Sequence, residues 1–152
     1  ATQITQQGNL DDFLAHVKTC SKLNSDDFHA LMICAMAASY DSKTNISDGF
    51  GIRLPFDLNT CQIDETIWKQ WLTFDPLYSI KQNQNSLKKL DFLYIDCGNK
   101  DQYGIQYGSR ILIKSLQEFG IDHHWEEFEG THSGIEHRLD ISMPLLAKTL
   151  HN

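Results

Sequence analysis

Apolar residues recur at helical spacing through the first part of the chain, and later give way to short continuous apolar runs. Leu10, Phe13, Leu14, Val17 and Cys20 lie three and four apart, which predicts an amphipathic helix that Asp11 or Asp12 can cap. Ser25-Asp26-Asp27 opens a second helix, with acidic side chains at its positive end and Phe28, Leu31, Met32, Ala35 and Met36 as its predicted buried face. Ahead of both, Ala1 to Gly8 is polar and predicts a loose lead-in. From Tyr40 to Thr60 the periodicity fails, and Gly49, Gly51 and Pro55 predict a long loop, of a kind that compact domains use to cover or build a site. Asp64 caps a short helix carrying Ile67, Trp68, Trp71 and Leu72. Asp75-Pro76 ends it, because the residue before proline avoids helical dihedrals. Tyr78 to Ser86, rich in Gln and Asn, reads as a polar linker.

The texture then changes. Leu90 to Cys97 is a nearly unbroken apolar run of strand length, as expected for a strand covered on both faces. Ile105, Gly108, Leu112, Leu116 and Phe119 make one helical face, with Gly120 as its C-terminal cap. His123 to Phe128 reads as a second strand, and Ile135 to Leu150 as mainly helical, with a kink or a joint at Pro144. Strand, helix, strand, helix with short connections predicts a parallel α/β unit over residues 88–152, preceded by a helical region over residues 10–80. Two strands alone make a poor parallel sheet, so further strands are expected from elsewhere, most simply a missing N-terminal half.

A length of 152 residues allows one domain with a real core, and 41% hydrophobic with 22% charged residues is ordinary for a globular protein. The net charge of −7 argues against a nucleic-acid partner, since phosphate backbones are held by clustered Lys and Arg. No apolar run is long enough to predict a membrane span, and Ala1 does not begin a basic-then-apolar signal. Cys20, Cys34, Cys61 and Cys97 are widely spaced and read as buried free thiols, which favours a reducing, cytoplasmic setting.

The candidate chemistry sits just past the two predicted strands. Asp101 follows the turn at Gly98, and His132 lies in a loop bracketed by Gly130 and Gly134. Ligands and catalytic groups gather beyond the carboxyl ends of parallel strands, and a carboxylate with an imidazole makes two thirds of a hydrolytic triad. A surface-turn aspartate and a loop histidine remain the plain alternative. Asp96, at the strand end, is a second candidate acid. His123, His124, Glu126, Glu129 and His137 suggest a metal site only at first sight, because adjacent strand residues point to opposite faces. Trp68 and Trp71 suit either an acyl pocket or ordinary packing, and Asn45-Ile46-Ser47 fits the glycosylation pattern.

Asp96-Cys97-Gly98-Asn99-Lys100-Asp101, His123 to Phe128, Gly130-Thr131-His132-Ser133-Gly134 and Arg138 together resemble the C-terminal part of an esterase family of α/β-hydrolases, which includes S-formylglutathione hydrolase-like and enterochelin-esterase-like proteins. Trp68-x-x-Trp71-Leu72 and Phe74-Asp75-Pro76-Leu77 are similar to the segment such esterases carry before the acid-bearing strand. The resemblance implies the C-terminal part of a three-layer α/β-hydrolase sandwich, with residues 10–80 as a lid-like region. It also implies that Asp101 is the triad acid and His132 the triad base, acting on a small ester with no cofactor. The departure is the nucleophile. These enzymes carry a G-x-S-x-G elbow ahead of the acid, and none occurs here. Ser109 falls inside a predicted helix, and Ser47 and Ser133 lack the elbow glycines. The serine is therefore expected upstream of Ala1, and the chain by itself is expected to be inactive. The competing expectations are a non-catalytic binding or assembly module, with a homodimer completing the sheet, and an acyltransferase parent in which an alcohol replaces water.

Overall fold

The computed structural model of the chain describes residues 1–41 and 51–151, so the glycosylation pattern at Asn45 and the candidate Ser47 lie outside the described residues. The chain divides into two compact units, Ala1–Asp75 and Pro76–Asn152.

The first unit is helical: α1 (Thr2–Gln6), α2 (Leu10–Thr19), α3 (Ser25–Tyr40) and α4 (Glu65–Leu72). Its core joins Ile4, Phe13, Cys34, Ala37, Leu54, Ile67 and Trp71. The polar lead-in is ordered as α1, because its single large apolar side chain, Ile4, is 2% exposed in that core. The start of α2 is set slightly earlier than the aspartates suggest, by Asn9, whose side chain accepts the Asp12 N–H at 2.9 Å. Asn24 does the same for α3, accepting the Asp27 N–H at 2.8 Å. Asp64 caps α4 as its sequence implies, accepting from Thr66 and Ile67. The buried face of α3 is rotated from the expected one: Asp27, Cys34 and Ala37 point inward, while Phe28 and Met32 are exposed. A helix apolar on most of its circumference carries no stripe from which to read its orientation. Of the expected long loop, the part from Gly51 onward is described: Leu54 is buried and Phe56 bridges Ile63.

The second unit contains α5 (Pro76–Leu87), β1 (Tyr94–Gly98), α6 (Ile105–Glu118), β2 (His124–Phe128), a short 3-10 turn over Glu136–Arg138, and α7 (Leu139–Leu150). The expected linker is thus helix α5. Pro76 occupies its first turn, where a missing N–H costs nothing, and Ile80 anchors it at 4% exposure. β1 and β2 pair in parallel from Tyr94↔His124 to Gly98↔Phe128. On one face, Ile95 and Trp125 pack with Ile80, Ile113, Leu116 and Ile121 of α5, α6 and the turn after α6. The other face carries Tyr94, Asp96, His124 and Glu126. Pro144 lies inside α7.

This architecture overturns the expected three-layer α/β-hydrolase sandwich: among the described residues the sheet has two strands, in the order β1-β2. Only five residues of the Leu90–Cys97 region and its turn find a strand partner, and no other described segment supplies a further apolar strand. The α5–α6 face of β1 retains an apolar cavity of about 510 Å³ lined by Ile80, Leu87, Leu93, Ile95, Leu112 and Leu116.

All four cysteines are free; Cys34 and Cys97 are buried as expected, whereas Cys61 is exposed. No helix among the described residues is long and apolar enough to cross a membrane.

Candidate functional site

The two strand ends remain in contact after the strands themselves stop. Asn99 N–H donates to Phe128 O at 2.8 Å and Lys100 N–H to Gly130 O at 2.9 Å, so the ladder continues into both loops. Gly98 makes this approach possible, since a Cβ there would lie 2.6 Å from the Gly130 carbonyl carbon and 2.7 Å from the Thr131 oxygen. The chain then turns through Asp101 into α6. Tyr103 N–H donates to Asp101 Oδ1 at 2.8 Å, and Gly104, at φ 73°, takes the left-handed conformation that starts the helix.

These loops bring together the two residues singled out from sequence. His132 Nδ1 lies 2.8 Å from Asp101 Oδ2. The Asp101 side chain is 3% exposed and that of His132 51%. Gln102 Oε1 accepts the His132 backbone N–H at 3.2 Å, and the Tyr103 ring meets the imidazole edge-on at 4.9 Å. Neither Gln102 nor Tyr103 was singled out from sequence; the signal available was only their adjacency to the candidate acid.

Burial pushes the Asp101 carboxyl up, but hydrogen bonds from His132 and from the backbone N–H groups of Tyr103 and Ile105 outweigh it, leaving the group below its ordinary value of 3.8. An ionised carboxylate only accepts, so the hydrogen of this contact belongs to Nδ1, and in a neutral imidazole the lone pair is then on Nε2. Among the described residues Nε2 has no hydrogen-bond partner. The arrangement has the geometry of an oriented base: one ring nitrogen is held by a carboxylate and the other is open to an incoming group.

The depressed carboxyl has a measurable consequence. Its stabilising contribution is fully present above the unfolded pKa and is lost as the pH falls through the lower folded value. Below pH 3.8, urea midpoints are expected to fall less steeply for Asp101→Asn than for the unaltered chain. Superimposable acid limbs would show that Asp101 is not held below its ordinary value.

Asp96, the second candidate acid, is engaged elsewhere. Arg138 Nε donates to its Oδ2 at 2.8 Å, Arg138 Nη2 lies 2.7 Å from Glu126 Oε2 and 3.0 Å from the Tyr94 hydroxyl, and the guanidinium covers the Phe128 ring at 4.5 Å. The other candidates are dispersed. His123 Nδ1 contacts Ile121 O, His124 stacks on Tyr94 and His137 Nδ1 contacts Gly134 O. Among the described residues no cluster of three His, Cys, Asp or Glu side chains is arranged to hold a metal. Ser109 lies within α6 beside the Cys97 thiol, whose pKa burial pushes up, and Ser133 N–H donates to Thr131 Oγ1. Trp71 is core, whereas Trp68 is 40% exposed. No protein-family model and no curated protein matches this sequence.

Proposed function

We propose that Asp101 and His132 are the acid and base of a serine esterase that cleaves a small carboxylic ester through an acyl-enzyme, with the nucleophilic serine supplied from outside these 152 residues. The observation that carries the reading is the 2.8 Å contact between His132 Nδ1 and a buried, ionised Asp101, with Nε2 left open. The resemblance of the Gly98–Asp101 and Gly130–Gly134 segments to an esterase family adds the reaction class.

In this reading Nε2 takes the hydroxyl proton as the serine attacks the ester carbonyl, and Asp101 stabilises the imidazolium that forms. The imidazolium returns the proton to the leaving alcohol, which departs and leaves an acyl-serine. Water, activated by the same nitrogen, then releases the acid and frees the serine. Among the described residues no Ser, Thr or Cys side chain is hydrogen-bonded to Nε2, so the 152-residue chain alone is expected not to turn over esters.

Fluorophosphonate labelling, mapped by peptide mass spectrometry, tests this on the longest natural reading frame that contains the sequence. The expected result is label on one serine outside these residues, lost in His132→Ala and absent from the 152-residue chain. An unlabelled long form would discard the esterase and put a non-catalytic binding module in its place.

A further inference from the structure

We propose that Arg138 is a positioning residue for the Asp101–His132 pair, clamping the two strands that lead into the loops carrying them. The inference rests on reading His132 as the base. From Thr131 to Asp140 every residue is exposed except Arg138 itself, so the stretch that bears the imidazole has almost no buried surface to fix it. Its near end is tied by the Lys100–Gly130 hydrogen bond, and at its far end the Arg138 side chain bonds to both strands, beside an edge-on contact of the His137 ring with Phe128 at 6.0 Å.

The clamp answers an electrostatic problem set by the register. Asp96 and Glu126 are direct partners across β1 and β2, on the same face, and like charges so placed repel. A guanidinium that is 12% exposed bridges them and also reaches the Tyr94 hydroxyl. Glu126, at 40% exposure, is the wetter partner, and Asp96, at 21%, the more sheltered. Three contacts from two nitrogens of one guanidinium suit the fixed fork of arginine, which a lysine ammonium cannot reproduce. Asp96 lies on the strand that turns into Asp101, and Arg138 closes the loop that presents His132. Loosening the clamp therefore moves acid and base independently.

The test uses the 152-residue chain and the nitrogen and Nδ1–H resonances of His132. In Arg138→Lys, and more so in Arg138→Gln, the Nδ1–H is expected to exchange at least about tenfold faster, with ring shifts moving toward those of a free imidazole. Arg110→Gln is the control. It removes a bidentate pair to Glu127 (2.8 and 2.6 Å) on the other face of β2, and is expected to change stability while leaving the His132 signals in place. In the serine-bearing protein, kcat of Arg138→Lys should fall about 100-fold with KM unchanged. Unaltered His132 signals in both Arg138 variants would overturn the proposal, as would collapse of the whole spectrum in Arg138→Lys, which would make the residue one of folding. Loosened His132 signals in a protein whose serines take no fluorophosphonate would instead sink the esterase and leave the clamp standing.

Discussion

Asp101→Asn is expected to retain the fold and to cost about ten-thousand-fold in kcat/KM in the serine-bearing protein, through the wrong histidine tautomer as much as through lost charge. Which amide atom faces His132 is decided by the backbone. Oδ1 of residue 101 accepts the Tyr103 N–H at 2.8 Å, so the carbonyl oxygen of an asparagine stays on that side. Its amino group then faces Nδ1, where the carboxylate now sits at 2.8 Å. Two donors cannot face each other, so the imidazole hydrogen shifts to Nε2, and the nitrogen required as a base becomes a donor. The nitrogen shifts of His132 report this directly in the 152-residue chain, with Nε2 changing from unprotonated to protonated. An Asp101→Asn enzyme within tenfold of the unaltered rate would sink the assignment of Asp101 as the triad acid.

What could be read from the residues follows from how many of them carry each signal. Leu90–Cys97 and His123–Phe128 announce strands because several consecutive side chains agree, and the glycines beyond them mark where the chain must turn. Asp101 and His132 were legible for that reason: each is the chemically able residue just after a strand. Helix α1 was not, because one buried side chain, Ile4, holds a segment otherwise made of Thr and Gln. Helix α5 was hidden by Gln, Asn and Ser, although Pro76 at its start and Ile80 within it suffice once α6 lies alongside. The sandwich is what resembling chains build, whereas among the described residues here the sheet is one parallel strand pair. Arg138 carries no local signal of its role beyond the resemblance, since its partners lie far back in the chain, at Tyr94, Asp96 and Glu126. The pattern that could have exposed it is two acidic residues at matching positions of neighbouring strands, a pairing that calls for a cation.

Gly98→Ala should destabilise the protein by about 1–3 kcal/mol, the usual cost of forcing an extra methyl into a filled space, and should disengage Asp101 from His132. The constraint is space and not dihedral freedom, because Gly98 is absent from the positive-φ glycines. A methyl group there meets carbonyl atoms of Gly130 and Thr131 at 2.6–2.7 Å, where relaxed contact needs about 3.5 Å or more. Backbone cannot rotate aside as a side chain does, so the two loops must part by about 1 Å, and a shift of that size in a catalytic pair costs about 100-fold in rate. The first bond to suffer is Lys100 N–H to Gly130 O, which ties the acid's loop to that of the base. Gly108 provides the contrast: it lies inside α6, a Cβ there meets nothing within 4 Å, and Gly108→Ala should stabilise by about 0.5–1 kcal/mol. Urea melts of both variants, with the His132 Nδ1–H followed alongside, separate steric coupling from a general intolerance of glycine replacement. A Gly98→Ala chain with unchanged stability and an intact His132 signal would mean that the loops can part without cost, and the Gly98–Gly130 contact would then have no part in holding acid to base.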